Sequence, residues 1–164
     1  MSLKTGLNLT TNYSINFSLP KRTKKLIKFI ILHYTGMKKE SEAIKKLCHS
    51  KSKVSSNYFI QDNGKIICLV PELYKAWHAG RSNWKGITAL NSYSVGISFY
   101  GNTNSRTPSA AEVDSVAKKC IYLMDKFNIA LDGILTHAMV SPGRKNDTSK
   151  ETHSLVISRI KELT

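Results

Sequence analysis

The chain has 164 residues, with 25 Lys plus Arg against 11 Asp plus Glu, so its formal net charge is +14 at pH 7. Hydrophobic residues make up 41% and charged residues 22%, which is typical of one globular domain and excludes a disordered chain of low hydrophobicity. No apolar run approaches the roughly eighteen residues of a membrane-spanning helix, so we expect a single domain with its own core and no membrane span.

The predicted elements alternate between strands and helices. The first twenty residues are polar and end at Pro20, which predicts an irregular arm over 1–20 and one domain over 21–164. Apolar or alternating runs predict five strands, at 27–33, 57–61, 65–70, 93–100 and 131–136. Helical spacing of apolar residues predicts three helices, at 41–49, 110–124 and 150–163. This order predicts an α/β fold in which helices flank a mixed central sheet of about five strands.

The cysteines and the N-terminal residues bear on the compartment. Cys48, Cys68 and Cys120 are widely spaced and form no paired motif, which favours a reducing environment. The first twenty residues contain no apolar core of a signal peptide. We therefore expect a cytoplasmic protein, or a periplasmic or secreted one whose signal has been removed.

Metal-binding side chains follow two of the predicted strands. His33 ends the first strand, and His137 follows the last one, before Pro142-Gly143 forces a loop that carries Asp147. A loop can fold back and bring His137 and Asp147 to one ion. Zn²⁺ accepts imidazole nitrogen and carboxylate oxygen, and its catalytic sites use three protein ligands. These three residues form a candidate open Zn²⁺ site, although each histidine alone also fits an ordinary hydrogen-bonded residue at a strand end.

Four sequence blocks, in the same order along the chain, resemble a known enzyme family. They are His33-Tyr34-Thr35, Trp77-His78-Ala79-Gly80, Asn91 with Ser94-Val95-Gly96-Ile97, and His137 through Asp147 with its Pro-Gly-Arg-Lys-Asn-Asp segment. Together they resemble the zinc-dependent N-acetylmuramoyl-L-alanine amidases of the type 2 amidase family, whose fold peptidoglycan recognition proteins share. The resemblance implies that His33, His137 and Asp147 hold Zn²⁺. It also implies that the substrate is peptidoglycan or a soluble muropeptide fragment.

The resemblance further implies a reaction and a set of site residues. The reaction is hydrolysis of the amide between N-acetylmuramic acid and L-alanine. Lys145 matches the family's catalytic lysine, whose charge can stabilise an oxyanion. Substrate-binding residues are expected in the loops between the third and fourth predicted strands, namely Trp77, His78, Arg81, Trp84 and Asn91. Aromatic rings can stack on a sugar or peptide, but they can equally fill a packed loop.

Two serines depart from the family pattern. The family commonly has a general-base Glu at the position of Ser98, and phage-type relatives have a Tyr near Ser56. We therefore expect Ser98 to occupy the catalytic base position without supplying a carboxylate. The alternative is a peptidoglycan-binding protein that keeps its zinc but has weak or no amidase activity.

The positive charge leaves a third hypothesis open. Many of the lysines occur in small groups along the chain, at 21 and 24–25, 38–39, 45–46, 51 and 53, and 118–119. A basic chain attracts polyanions, yet no recognised nucleic-acid motif accompanies these groups. We therefore expect attraction to an anionic cell wall or to stem-peptide carboxylates ahead of nucleic-acid binding.

Overall fold

The computed structural model describes residues 9–11 and 13–164. Its strands are β1 Leu9–Thr11, β2 Phe17–Ser18, β3 Phe29–Tyr34, β4 Tyr58–Ile60, β5 Ile66–Cys68, β6 Lys75–Ala76, β7 Asn83–Trp84, β8 Ile87–Thr88, β9 Ser94–Phe99 and β10 Ile134–Thr136. Its α-helices are α1 Glu40–Cys48, α2 Ala110–Phe127, α3 His137–Val140 and α4 Lys150–Leu163. The five predicted strands and three predicted helices are all present. Among the described residues, no helix combines the length and the apolarity needed to cross a bilayer.

The main sheet has six strands in the order β1-β5-β4-β9-β3-β10. Strand β3 pairs in parallel with both β9 and β10, and β4 pairs in parallel with β9 but antiparallel with β5. The predicted α/β fold with a mixed central sheet is therefore confirmed. The sixth strand of this sheet, which was not predicted, is β1, and it pairs in parallel with β5.

The structure describes two short strands within the first twenty residues, so the expectation of an irregular arm is wrong for those residues. Besides β1, residues Phe17–Ser18 form β2, which pairs antiparallel with β6. Backbone hydrogen bonds to an open strand edge need no apolar alternation, so this polar sequence carries little signal of its pairing. Residues 1–8 and 12 lie outside the described part of the chain, and the division at residue 20 stays a prediction.

Both faces of the central sheet are covered, which explains the nearly continuous apolar run of β3. On one face, Ile30 and Leu32 belong to the core cluster that includes residues of α2 and α4. On the other face, Ile31 packs with Leu135 beneath the loops. Because side chains alternate along a strand, His33 lies on the same face as Ile31, away from α2 and α4.

Parallel pairing brings the candidate site residues to one edge of the sheet. In the register of β10 with β3, Thr136 lies opposite Leu32, so the next residue, His137, follows beside His33. On the other side of β3, Ser98 of β9 lies opposite His33. The carboxyl ends of parallel strands meet at the same edge, where ligands commonly bind in α/β folds.

Candidate metal centre

Three buried side chains converge at the edge where β3 and β10 end. The Nδ1 atom of His33 lies 3.0 Å from Nδ1 of His137 and 3.1 Å from Oδ2 of Asp147. The Nδ1 atom of His137 lies 3.2 Å from the same carboxylate oxygen. All three residues are buried, and their donor atoms are close enough together to hold one metal ion.

The electrostatic setting favours neutral histidines beside an ionised carboxylate. Burial lowers the pKa of His33 and lowers that of His78 further, so both rings are neutral at pH 7. Burial alone would raise the pKa of Asp147, whereas a proton on a neighbouring ring nitrogen, of His137 or of His33, lowers it well below its usual range. Neutral imidazole and ionised carboxylate are the forms that bind metals.

A backbone carbonyl fixes the tautomer of His137. Its Nε2 atom lies 3.0 Å from the carbonyl oxygen of Ala79, and a carbonyl oxygen can only accept a hydrogen bond. In the neutral ring, Nε2 therefore carries the proton and Nδ1 presents a lone pair toward His33 and Asp147. Metal-bound histidines usually have such a partner on the second ring nitrogen.

A chain of three hydrogen bonds gives His33 the same tautomer. Ser94 Oγ donates to the Leu90 carbonyl oxygen at 2.6 Å, so Oγ can accept from His78 Nε2, which lies 3.3 Å away. With its proton on Nε2, His78 accepts at Nδ1 from His33 Nε2, and these two nitrogens are 2.9 Å apart. The Nδ1 atom of His33 is then a lone pair as well.

Three electron-pair donors thus meet at one buried place without a proton between them. Such an arrangement is repulsive unless a cation lies among the donors. Two imidazole nitrogens and one carboxylate oxygen are ligands that Zn²⁺ accepts, and three protein ligands leave a position free for water or substrate. The donor set of His33, His137 and Asp147 therefore fits a metal ion.

Gly96 provides the space in which His78 lies. A Cβ atom at position 96 would lie 2.6 Å from Cγ of His78, closer than real Cβ contacts. Asn91 fixes the backbone of the same loop, because its Oδ1 accepts from the amide nitrogens of His78 and Ala79 at 3.1 and 2.7 Å. Strand β9 and the loop thus hold the His78 ring against His33.

We expect Gly96→Ala to weaken metal binding, because the new methyl group must displace the His78 ring from His33. Loss of an outer partner of a metal-bound histidine typically costs about ten- to a hundredfold in metal affinity. The measurement is competition with a chromophoric chelator, and circular dichroism would verify that the variant is folded. Gly86→Ala is the control, since a Cβ atom there has no neighbour within 4 Å, although its φ of +86° adds backbone strain. Wild-type affinity in a folded Gly96→Ala protein would contradict the assigned role of His78.

The loop that carries Asp147 folds back onto the start of α3. Gly143 has a φ of +75°, and the amide nitrogen of Lys145 donates to the Ser141 carbonyl oxygen at 2.9 Å. The amide nitrogen of Ala138 donates to the carbonyl oxygen of Asp147 at 2.6 Å, which closes the loop beside His137. The predicted return of Asp147 toward His137 therefore occurs.

Arg144 ties this loop to the loop that follows β6. Its Nη2 atom donates to the carbonyl oxygens of Ala79 and Arg81 at 2.8 and 2.9 Å, and to Ser141 Oγ at 2.9 Å. Ala79 is also the partner of His137, so the guanidinium supports the contact that orients this ring. Sequence reasoning recognised the segment around Arg144 but assigned no role to the arginine itself.

The three donors lie in the wall of a cavity of about 390 Å³. The other predicted site residues that line this cavity are Trp77, His78, Ser98 and Lys145. The indole Nε1 of Trp77 donates to Ser18 Oγ at 2.8 Å, so β2 holds the ring in place. Sequence reasoning missed Ser18 and assigned no role to Ser94, although Ser94 lies in one of the matching blocks, because both roles depend on contacts that only the folded chain makes.

Three predicted substrate-binding residues lie away from this cavity. Asn91 supports the loop through its amide oxygen, and Trp84 packs beside the apolar cluster that contains Leu90. Arg81 lines a neighbouring cavity of about 500 Å³. Nothing in this geometry supports a substrate contact for these three residues at the metal centre, and that role stays a prediction.

Ser98 and Ser56, which the resemblance places at or near the family's base positions, contact each other. Ser98 Oγ donates to Ser56 Oγ at 3.0 Å, and Ser56 Oγ donates to the Tyr58 carbonyl oxygen at 3.1 Å. Both hydroxyl protons are thereby used within the protein. Among the described residues, Asp147 is the one carboxylate that lines the cavity, so no second carboxylate is present to accept a proton.

Comparison with known proteins relates this site to a family of amidases. The family model Amidase_2, described as N-acetylmuramoyl-L-alanine amidase, matches residues 22–150. The N-acetylmuramoyl-L-alanine amidase AmiD of Escherichia coli strain K12 is 28% identical over 159 residues, covering 88% of this chain and 55% of AmiD. The chain spans about half the length of the curated relatives it matches.

Solved structures support the same relationship. A crystal structure of an AmpD derivative has a TM-score of 0.80 over 95% of this chain and 94% of its own. The sequence identity is 20%, so this match shows that the two proteins share a fold. E. coli AmiD in complex with the substrate anhydro-N-acetylmuramic acid-L-Ala-D-γ-Glu-L-Lys has a TM-score of 0.69 at 25% identity, covering 84% of this chain and 60% of AmiD. Because the family model spans most of the sequence, this chain belongs to the Amidase_2 family of N-acetylmuramoyl-L-alanine amidases.

Proposed function

We propose that the protein is a zinc-dependent amidase that hydrolyses the bond between N-acetylmuramic acid and L-alanine in muropeptides. The observation that carries this proposal is the meeting of three potential metal-ligand atoms, from His33, His137 and Asp147, in the wall of an open cavity. A structural zinc site is closed by four protein ligands, whereas three ligands beside a cavity are typical of a catalytic site.

The residues of the chain have distinct roles in this reaction. His33, His137 and Asp147 would hold Zn²⁺, which when bound supplies Lewis acidity toward a carbonyl group and activates water near neutral pH. Lys145 lines the same cavity and is exposed there, so its ammonium group can approach the carbonyl oxygen as negative charge develops on it. The ring of Trp77 offers an aromatic surface to the sugar or the peptide.

The proposed substrate is a muropeptide of the kind bound by the AmiD structure. That ligand contains anhydro-N-acetylmuramic acid joined to L-Ala, D-γ-Glu and L-Lys. AmpD relatives from several bacteria are named 1,6-anhydro-N-acetylmuramyl-L-alanine amidases. The family of this chain and the cavity beside its donor set support the same substrate class here.

Proton transfer from the attacking water lacks a general-base carboxylate, because Asp147, a metal ligand, is the one carboxylate among the described residues that line the cavity. The hydroxyl of Ser98 lies at the position where the family commonly has a carboxylate, and its proton is donated to Ser56. General-base assistance is typically worth about a hundredfold or more in rate. We therefore propose that the Ser98–Ser56 pair gives little assistance to the attacking water and that wild-type turnover is low.

We expect Ser98→Glu to raise turnover at neutral pH severalfold. Ser98 lies opposite His33 in the sheet and lines the cavity, so a carboxylate at this position would lie in the cavity wall close to the metal donors. Ser98→Gln is the matched control, because it has nearly the same size but cannot accept a proton as a base. Peptide release should be measured for the three proteins at equal zinc content. A folded, metal-loaded Ser98→Glu enzyme that is slower than wild type would show that another group already acts as the base.

The proposed function is tested by incubating the zinc-loaded protein with anhydro-N-acetylmuramic acid-L-Ala-D-γ-Glu-L-Lys and separating the products by mass. Released tripeptide is the expected result. A chelator should stop the release, and added Zn²⁺ should restore it. Tight binding of the intact muropeptide without release would instead support a binding protein. Binding of DNA with a steep salt dependence, without affinity for the muropeptide, would support the nucleic-acid hypothesis.

A further inference from the structure

The cavity extends from the metal donors to a wall built by α1 and the segments that flank it. Met37, Ala43 and Leu47 line this part of the cavity, and Val54 completes it from the chain after α1. These four side chains are apolar. A substrate whose reacting amide lies beside His33 can therefore extend along a largely apolar surface on this side.

One lysine interrupts the apolar wall. Lys46 lies on α1 between Ala43 and Leu47, lines the cavity and is exposed. The other cationic residues that line the cavity, Arg144 and Lys145, belong to the loop that carries Asp147. Lys46 is thus separated from them along the chain and is contributed by a different element.

The acidic side chains of α1 have other partners. Glu40 accepts from the side chain of Gln61 at 2.8 Å and from the amide nitrogen of Asp62 at 2.7 Å. Glu42 lies 3.7 Å from the ammonium nitrogen of Lys39. Among the described residues, no carboxylate lies within ion-pair distance of the Lys46 ammonium group, which leaves this charge available to a ligand in the cavity.

An apolar surface with a single ammonium group matches a short peptide that carries a carboxylate. The ligand of the AmiD structure has this chemistry, because L-Ala offers a methyl group and the γ-linkage of D-Glu leaves its α-carboxylate free. A second carboxylate lies at the end of that peptide. We propose that Lys46 binds a stem-peptide carboxylate and selects substrates that carry it. This inference rests on the proposed amidase function and adds a specificity residue to it.

The test compares Lys46→Ala with Lys45→Ala. Lys45 is the matched control, because it is exposed on the same helix, one residue earlier, and is absent from the cavity wall. A charge-assisted hydrogen bond at a partly exposed site is typically worth about a factor of ten in affinity. We expect Lys46→Ala to raise KM for the acidic muropeptide about tenfold with kcat nearly unchanged, and Lys45→Ala to change neither value. Lys46→Arg should restore most of the affinity.

Two modified substrates identify which carboxylate is bound. One carries an α-carboxamide on the γ-linked D-Glu, and the other carries a C-terminal carboxamide. For the substrate that lacks the recognised carboxylate, wild type and Lys46→Ala should have the same KM. If Lys46→Ala behaves like Lys45→Ala, or weakens all three substrates equally, the proposed contact is wrong.

Calorimetric binding of the same muropeptides separates this inference from the proposed function. If the wild type releases no peptide but binds the acidic muropeptide more tightly than Lys46→Ala does, the amidase function fails while the carboxylate contact stands. If the wild type releases peptide but binds the muropeptide no more tightly than Lys46→Ala does, the amidase function stands and the carboxylate contact fails. Absence of both release and binding overturns the two together.

Discussion

Replacing His137 with alanine is expected to abolish metal binding and amidase activity together. The substitution removes one of three donor atoms that lie 3.0 to 3.2 Å apart and leaves only His33 and Asp147. Two protein ligands do not make a typical catalytic zinc site. We expect the wild type to contain about one Zn²⁺ per chain and the variant to contain essentially none by elemental analysis.

Thermal unfolding tests the same prediction without any activity assay. A metal that binds only the folded chain at about a hundred times its dissociation constant stabilises it by about 2.7 kcal/mol. For a domain of this size, that corresponds to a rise of about 5 to 10 °C in Tm. Added Zn²⁺ should therefore raise the Tm of the wild type and leave that of His137→Ala unchanged.

His49→Ala serves as the control for histidine loss. His49 is exposed just after α1, and its Nδ1 accepts from the amide nitrogen of Lys51 at 3.1 Å, away from the metal centre. This variant should retain both the zinc content and the rise in Tm. Full zinc occupancy in a folded His137→Ala protein would show that the zinc is bound elsewhere.

The positions of the candidate ligands follow from patterns that the sequence displays. Apolar runs end at His33 and next to His137, and parallel strands bring such ends to a common edge. Pro142-Gly143 predicts the turn that brings Asp147 back. Five strands of the main sheet and three of the helices could therefore be predicted from local patterns. The convergence of the three donors was a candidate from these patterns, and the resemblance to the amidase family favoured it.

The supporting contacts could not be predicted in the same way. That His78 orients His33 depends on three separate features, which are the close approach permitted by Gly96, the bond to Ser94 and the loop support from Asn91. Each of these contacts joins residues that are distant along the chain. Recognising the Trp-His-Ala-Gly block indicated that His78 belongs to the site but not that it lies behind a metal ligand.

The N-terminal strands escaped prediction for a related reason. The pairing of β1 with β5 uses backbone groups, which carry no residue-specific signal. The pairing of β2 with β6 positions Ser18 near Trp77, whose indole nitrogen donates to the serine hydroxyl. A segment of polar composition therefore supports the wall of the cavity, although its sequence indicated only an irregular arm.

Lys145→Ala is expected to lower turnover by about a hundred- to a thousandfold while leaving zinc content unchanged, because a preorganised donor to an oxyanion is typically worth this much. Lys145 lies two residues before Asp147, and its amide nitrogen donates to the Ser141 carbonyl oxygen at 2.9 Å. The side chain of Lys145 lines the cavity. The ammonium group is not one of the three metal donors. Its loss should therefore appear in kcat, with little change in KM.

The measurement is steady-state peptide release by metal-loaded Lys145→Ala, with two comparison variants. Lys145→Arg keeps the positive charge and should recover part of the rate, since charge near the carbonyl oxygen matters more than the shape of the group. Lys150→Ala removes an exposed lysine from the first turn of α4, outside the cavity wall, and should behave like the wild type. If Lys145→Ala and Lys150→Ala have the same turnover, Lys145 is an ordinary surface lysine. The oxyanion must then be stabilised without this charge.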